Sequence, residues 1–271
     1  MRTEMLRRLL AGGVDTVLMD LDGTVYHIDH PVPGAIDFLR MLDEEGVRFA
    51  CLTNSGSSPR RVRERLSGMG VDVRESQIYT AGAAAVDYVM ETFGPRPRVF
   101  NLATNGVSEM LQECAAFIQK AGETCDVVIA GDPTSSQAPP ERQQIALELL
   151  RDGAKLVGIC ADRVYPSKRG IEIGGGAFCS MLSFAAGGIE TTFVGKPQPV
   201  FFHELCERLK VKPSECVMIG DNLEGDIGGA KGVGMKAVLV LTGVARAQDV
   251  ERVEPARRPD LVIDSVADLL K

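Results

Sequence analysis

The feature that most constrains the fold is a nearly unbroken alternation of short apolar runs and amphipathic segments along the chain. Apolar runs bounded by turn residues indicate buried strands, and apolar residues spaced three or four apart indicate helices. Strands that alternate with helices form a parallel sheet covered by helices. The sequence therefore predicts an α/β protein with a Rossmann-like parallel sheet.

The length of the chain allows two such sheets. Its 271 residues, 45% of them hydrophobic, are enough for two domains that each bury a core. A second alternating series runs through the middle of the chain, and none of its strands ends in a pair of acids. We predict an inserted α/β domain at 82–188 and a core formed by 1–81 and 189–271. We further expect a helix over 107–120, an irregular loop over 161–176, and a core strand at 191–194.

Polar groups follow four of the predicted core strands. They are Asp20 and Asp22, Thr53 and Asn54, Lys196, and Asp221 and Asp226. Side chains alternate faces along a strand, so Asp20 and Asp22 point to the same side. In open α/β sheets ligands bind beyond the carboxyl ends of the strands, so the four groups should converge on one crevice. Each residue alone has an ordinary explanation, such as a turn asparagine or a solvated lysine, but their convergence favours a site.

Composition excludes several classes of partner. A net charge of −7 and a pI near 5.2 argue against a nucleic-acid surface or an anionic membrane as the main partner. The apolar run near the amino terminus is too short for a signal peptide, and no stretch reaches the roughly 20 apolar residues of a membrane span. The seven cysteines include no Cys-x-x-Cys pair, which is typical of a reducing compartment. We expect a soluble, cytoplasmic protein.

These motifs carry a family resemblance. Asp20-Leu21-Asp22-Gly23-Thr24, Thr53-Asn54, Lys196, and Gly220-Asp221-Asn222 to Asp226 resemble, in this order, the four motifs of the haloacid dehalogenase superfamily. Thr53 follows Asp20 too closely for a domain to lie between them, whereas the stretch from Thr53 to Lys196 has room for one. A large insertion at that place resembles the NagD-type, p-nitrophenyl phosphatase-like branch, which carries a cap domain there.

The resemblance implies a Mg²⁺-dependent phosphatase that hydrolyses a small phosphomonoester metabolite through an aspartyl-phosphate. A carboxylate can attack a phosphate dianion only if the repulsion is cancelled, and a bound Mg²⁺ does this. Asp20 is the expected nucleophile, and Asp22 the expected general acid and base. Asp20, the backbone carbonyl of Asp22, Asp221 and Asp226 are the expected metal ligands.

The remaining predicted residues bind substrate. Thr53, Asn54 and Asn222 would contact it, and Lys196 would offset the carboxylates. In relatives, a strand of the insertion ends in the sequence Thr-Asn-x-Asp. The matching stretch here is Ile159-Cys160-Ala161-Asp162, which has the aspartate but lacks the asparagine. The residues expected to meet the leaving group there are Asp162, Arg163, Lys168 and Arg169. A solvated basic loop is an equally good explanation of the three cations.

Two other functions fit part of the pattern. A phosphotransferase or mutase would pass the aspartyl-phosphate to another hydroxyl, although mutase relatives usually carry their cap between the first two motifs. A phosphate-responsive module such as a receiver domain also combines acids, a threonine and a lysine, but it lacks Asp-x-Asp-Gly-Thr and is shorter. The resemblance also suggests a homodimer formed through the cap. The pattern leaves open which phosphate ester is bound, because the core motifs meet only the phosphoryl group.

Overall fold

The computed structural model describes residues 4–112, 114–167 and 169–271. The chain divides into two compact units. The first unit contains Met1–Thr53, Val62–Tyr79 and Lys196–Lys271, and the second contains Asn54–Arg61 and Thr80–Gly195. The domain division at 82 and 188 stays a prediction.

The strands of both units are short, and most are buried. In chain order the described residues form β1 (Thr16–Asp20), β2 (Tyr26–His27), β3 (His30–Pro31), β4 (Arg48–Thr53), β5 (Ile78–Thr80), β6 (Arg98–Leu102), β7 (Ala116–Phe117), β8 (Val127–Ala130), β9 (Lys155–Gly158), β10 (Val164–Ser167), β11 (Gly170–Ile173), β12 (Thr191–Phe193), β13 (Cys216–Gly220), β14 (Lys236–Val240) and β15 (Leu261–Ile263).

The helices connect these strands, and five of them begin with a threonine cap or a proline. They are α1 (Glu4–Leu9), α2 (Ala35–Glu44), α3 (Pro59–Gly68), α4 (Ala81–Phe93), α5 (Asn105–Leu111), α6 (Pro140–Arg151), α7 (Gly175–Ala185), α8 (Pro199–Leu209) and α9 (Gly229–Gly232). The hydroxyls of Thr80 and Thr104 cap α4 and α5 by accepting hydrogen bonds from backbone N–H groups. Proline starts α3, α6 and α8, where its missing N–H costs nothing.

The first unit is built on a six-stranded sheet in the order β15-β14-β13-β1-β4-β5. The neighbouring pairs from β15 to β4 are parallel. All five residues of the central strand β1 are buried, and apolar side chains of α1, α2 and α3 pack into the same core. The carboxyl ends of β1, β4 and β13, which lead into Asp20, Thr53 and Asp221, therefore lie at one edge of this sheet.

The second unit has its own parallel sheet, in the order β12-β9-β8-β6-β7. Residues of α6 and α7 form its core with the strands, including Leu149, Leu150, Phe178 and Leu182. An antiparallel hairpin, β10 with β11, precedes α7. The predicted α/β fold with Rossmann-like parallel sheets is confirmed.

Three local predictions were wrong. The helix expected over 107–120 ends at Leu111, and Ala116–Phe117 pairs with β6 as an edge strand. The loop expected over 161–176 contains the hairpin β10–β11. The strand expected in the core at 191–194 is β12, which pairs with β9 of the second unit. In each case a short apolar run was compatible with several partners, and tertiary packing selected one of them.

Candidate active site

Asp20 occupies the middle of the first unit's sheet. It is the last residue of β1, which lies between β13 and β4, and it is 6% exposed. Asp20 pairs with Leu52 in the register of β1 with β4, so Thr53 lies one residue beyond it on the neighbouring strand. Asp221 follows β13 in the same way. Parallel pairing thus brings residues far apart in sequence to one edge.

Three buried carboxylates meet at this edge. Carboxylate oxygens of Asp20, Asp221 and Asp226 all lie within 4.8 Å of one another. Lys196 Nζ donates to Asp20 Oδ1 at 2.5 Å and to Asp226 Oδ1 at 2.7 Å. Three ionised carboxylates and one ammonium leave two negative charges in a buried cluster. Such a cluster is stable only with a cation or with added protons.

The pKa values of these groups reflect that imbalance. Burial, together with the charges of Asp226 and Asp221, raises the pKa of Asp20 well above its usual range against the opposing effect of Lys196. Burial and the charge of Asp226 raise the pKa of Asp221 to about 7. Burial alone would lower the pKa of Lys196, but Asp20 and Asp226 outweigh it and raise that pKa.

The donor set fits a hard divalent cation. Asp20 Oδ2 is buried and has no hydrogen-bond partner among the described residues. Clustered carboxylate oxygens are the ligands that Mg²⁺ and Ca²⁺ prefer. A cation bound here would satisfy Asp20 Oδ2 and offset the excess negative charge. The residues that would hold it are Asp20, Asp221 and Asp226.

Two glycines allow the chain to approach Asp221 closely. A Cβ at Gly23, whose φ is 85°, or at Gly243 would overlap the Asp221 carboxylate. The Val244 backbone N–H donates to Asp221 Oδ2 at 2.6 Å, and the Thr242 hydroxyl donates to the Gly23 carbonyl at 2.6 Å. These contacts fix the orientation of Asp221.

Asp22 stands apart from the buried cluster. It follows β1 by two residues, is exposed, and accepts a hydrogen bond at Oδ2 from the Tyr26 hydroxyl at 3.0 Å. Partial enclosure of its carboxyl raises the pKa of Asp22, while the hydrogen bond from Tyr26 and the charge of Arg65 act in the opposite direction. An exposed carboxyl with a raised pKa is suited to exchanging protons.

The predicted phosphate-binding pair is divided between the two units. Thr53 is buried at the end of β4 in the first unit, and Asn54 begins a segment of the second. Within the second unit, Asn54 Nδ2 donates to Asp162 Oδ2 at 2.9 Å. Two residues predicted separately from the sequence are therefore direct partners.

The other predicted substrate contacts have structural partners of their own. Asn222 Oδ1 accepts from the backbone N–H groups of Glu224 and Gly225, both at 2.9 Å, and so caps a π-helical turn over Leu223–Gly228. Arg169 donates two hydrogen bonds to Glu172, which neutralises its charge inside the hairpin. Arg163 is exposed. Lys168 lies outside the described residues.

The sequence analysis did not identify Tyr26 and Arg65 as part of the site. Tyr26 follows Asp22 by four residues in an Asp-Gly turn, which is a weak signal that the side chains meet. Arg65 lies on α3, and nothing in the sequence links it to Asp22.

No helix among the described residues is long and apolar enough to cross a membrane.

Comparison with known proteins assigns the class. A model of the haloacid dehalogenase-like hydrolases matches residues 17–116, and a second model of the same kind of hydrolase matches residues 193–269. An acid sugar phosphatase of Staphylococcus aureus is 33% identical over 235 residues, which cover 86% of this chain and 89% of that protein. The chain belongs to the haloacid dehalogenase-like hydrolases and is an enzyme of that family.

Two solved structures place it more closely. A 4-nitrophenylphosphatase from Thermotoga maritima aligns with a TM-score of 0.85 and 30% identity, covering 95% of this chain and 96% of that chain. A glycerol phosphate phosphatase from Mycobacterium tuberculosis, solved with magnesium, aligns with a TM-score of 0.88 and 26% identity, covering 99% of this chain and 79% of that chain. Both support the NagD-like branch that the motif spacing indicated.

Proposed function

We propose that this protein is a Mg²⁺-dependent phosphatase that hydrolyses a small phosphomonoester through an aspartyl-phosphate intermediate. The observation that carries this proposal is the buried cluster of Asp20, Asp221 and Asp226 with Lys196 at the end of the central strand. Relatives that act on sugar phosphates, nitrophenyl phosphate and glycerol phosphate support it.

Asp20 is the nucleophile. Lys196 binds Oδ1, and Oδ2 has no hydrogen-bond partner among the described residues, so the carboxylate carries an available lone pair. In the first step a bond forms between Asp20 and phosphorus, and the bond from phosphorus to the leaving oxygen breaks. Asp22 gives its proton to that oxygen, which leaves as an alcohol.

The second step regenerates the enzyme. Asp22, now ionised, takes a proton from a water that attacks phosphorus, and the bond to Asp20 breaks to release inorganic phosphate. A bound Mg²⁺ would supply positive charge against both the carboxylates and the phosphoryl oxygens. Its ligands would be Asp20, the backbone carbonyl of Asp22, Asp221 and Asp226. Lys196 holds Asp20 and Asp226 in place throughout.

We infer that Thr53, Asn54 and Asn222 contact the phosphoryl group or its surroundings. Asn54 has one further feature in its favour. Its side-chain nitrogen is held by Asp162, which limits the directions in which the amide can point. Asp162 therefore supports substrate binding through Asn54, in addition to any contact of its own.

Specificity is the role we propose for the hairpin region of the second unit. The residues assigned to phosphoryl transfer recognise only what all phosphomonoesters share, so discrimination requires other groups. Arg163 is exposed, whereas Arg169 is paired with Glu172. Arg163 is thus the better candidate of the two for a second anionic or hydroxyl group on the substrate.

The experiment that tests this function is a phosphate-release screen over sugar phosphates, glycerol phosphate and p-nitrophenyl phosphate, with Mg²⁺ and after chelation. Wild type should release phosphate only with Mg²⁺, and Asp20→Asn should lower kcat by about three orders of magnitude or more, because the attacking charge is lost. Asp15→Asn, an acid outside the cluster, is the control. Activity of Asp20→Asn within tenfold of wild type, or full activity in EDTA, would exclude the mechanism.

A further inference from the structure

Asp22 needs a defined orientation for its proposed role, yet it is exposed and follows the end of a strand. A mobile carboxylate would present either oxygen, or neither, to a leaving group. Productive proton transfer requires the acid within hydrogen-bond reach of the reacting oxygen. The structure shows what restrains Asp22 on the side of Oδ2.

The backbone brings Tyr26 against Asp22. The Gly23 N–H donates to the Tyr26 carbonyl at 2.8 Å, and the Tyr26 N–H donates to the Leu21 carbonyl at 3.1 Å. A β-bridge links Asp22 and Tyr26. The turn is therefore closed, and Tyr26 is 3% exposed at its end. From this fixed position its hydroxyl reaches Asp22 Oδ2 at 3.0 Å.

Arg65 sets the direction of that hydrogen bond. Arg65 Nη1 donates to the Tyr26 hydroxyl oxygen at 3.3 Å, and its guanidinium carbon lies 4.6 Å from the centre of the Tyr26 ring. Arg65 Nη2 also donates to the Ile28 carbonyl at 2.5 Å. A guanidinium has no acceptor, so the Tyr26 hydroxyl cannot donate to Arg65 and directs its hydrogen to Asp22.

We propose that Tyr26, oriented by Arg65, is a positioning residue for Asp22. It occupies Oδ2 and leaves Oδ1 as the oxygen that exchanges a proton with the leaving group and with water. Tyr26 itself touches no reacting atom. This inference rests on the proposed function, because the orientation of Asp22 affects turnover only if Asp22 transfers a proton.

Leaving-group dependence is the readout that separates positioning from general damage. p-Nitrophenolate departs without protonation, whereas the alkoxide of glycerol phosphate requires an acid. The ratio kcat/KM reports only the steps up to loss of the leaving group, because the later attack of water on the aspartyl-phosphate is the same for every substrate. Loss of orientation at Asp22 should therefore lower kcat/KM for glycerol phosphate and spare kcat/KM for p-nitrophenyl phosphate. A distorted fold would lower both rates together.

The test is Tyr26→Phe, which keeps the buried ring and removes only the hydroxyl. We expect kcat/KM for glycerol phosphate to fall about tenfold, a fraction of the whole acid–base contribution, with less than about a threefold effect on kcat/KM for p-nitrophenyl phosphate. Tyr79→Phe is a matched control, because Tyr79 is a buried tyrosine of the same unit with Arg208 5.0 Å from its ring centre.

A double-mutant cycle tests the role of Arg65. If Arg65 acts through Tyr26, Arg65→Ala should show the same leaving-group dependence as Tyr26→Phe, and the double variant should be no worse than Tyr26→Phe alone. Arg208→Ala should show no such dependence. Additive losses in the double variant would mean that Arg65 acts on Asp22 without Tyr26, and would overturn that part of the proposal.

The outcomes also separate this inference from the proposed function. If wild type hydrolyses neither ester with Mg²⁺, the proposed function fails. If wild type hydrolyses both, and Tyr26→Phe behaves like Tyr79→Phe or lowers kcat/KM equally for both esters, the positioning role alone is wrong.

Discussion

Lys196 supplies the positive charge that lies against the buried carboxylates of the cluster. Lys196 is 4% exposed and forms ion pairs with Asp20 and Asp226, which are 6% and 1% exposed. Buried pairs gain little net stability over apolar contacts, but removal of one partner leaves an uncompensated charge and is strongly destabilising. Lys231 forms an ion pair with Asp260 at 2.9 Å on the surface of the same unit.

These two lysines make a matched comparison. Without metal at pH 8, Lys196→Met should lower the free energy of unfolding by about 3–5 kcal/mol, because the carboxylates lose their cation. Lys231→Met should lower it by no more than about 1 kcal/mol, since the exposed pair is screened by solvent. Urea denaturation of both variants measures the difference. Equal losses would show that the cluster does not depend on Lys196.

At the scale of elements, the hairpin β10–β11 has an unusual distribution of side chains. Val164, Ile171 and Ile173 point to one face, as the pairing of Val164 with Ile173 requires, and all three are exposed. The other face carries Glu172, whose carboxylate accepts hydrogen bonds from Tyr165, Ser167 and Arg169. The polar face holds the hairpin together, and the apolar face is exposed in the part of the chain that the structure describes.

The Glu172 cluster makes the hairpin sensitive to acid. Arg169 and Ser167 lower the pKa of Glu172 to about 2. A carboxyl whose folded pKa is below its ordinary value of 4.5 contributes stability above that value and loses it as pH falls toward 2. Hydrogen exchange of the β11 amides should therefore accelerate between pH 4.5 and 2 more than the chemistry of exchange alone explains.

Glu172→Gln should abolish this excess acceleration, because the charge that titrates is gone. Glu148→Gln, which changes a carboxylate on α6 that faces Gln144, should leave it in place. An unchanged pH dependence in Glu172→Gln would assign the acid sensitivity to another group.

The whole molecule combines two sheets, each with its own core, in one chain that passes between the units four times. We propose that it is a homodimer formed through the second unit. The exposed apolar face of the hairpin, with Met181 and Phe184 on α7 (49% and 86% exposed), supports this proposal. Exposed apolar side chains on neighbouring elements are typical of interaction surfaces.

Sedimentation equilibrium tests the dimer. Wild type should sediment with twice the mass of the chain, and the double variant Ile171→Glu, Ile173→Glu should sediment as a monomer because buried charges oppose association. Val262→Glu, at an exposed valine of the first unit, should not change the mass. A monomeric wild type would reject the proposal.

Much of the fold could be predicted because its signals are local. Apolar runs such as 16–20 and 216–220 indicate buried parallel strands. The helix starts at proline and threonine depend only on neighbouring residues. The expectation that Asp20, Thr53 and Asp221 lie at one edge followed from the rule that parallel strands end together. Lys196 contacts Asp20 and Asp226 although the strand before it, β12, belongs to the sheet of the second unit. Their roles in catalysis and metal binding stay predictions.

The errors arose where the signal was not local. The sequence of β12 is compatible with a strand in either unit, and only its pairing with β9 assigns it to the second unit. The alternating apolar side chains of the hairpin are exposed, so the expectation that apolar residues are buried did not identify these strands. Asn222 was predicted to bind substrate because its side chain is an amide. Its Oδ1 instead caps a turn that was not predicted from the sequence.

By itself, the sequence determined the α/β class, the parallel arrangement of strands that end in polar residues, and the residue types at the site. These features depend on periodicity and on chemistry within a few residues. Only the tertiary structure decided that Asn54 pairs with Asp162, that Arg169 is neutralised by Glu172, and that Arg65 acts on Tyr26. Such pairings depend on which elements pack side by side, and a side chain's sequence neighbours do not specify the partner that packing brings to it.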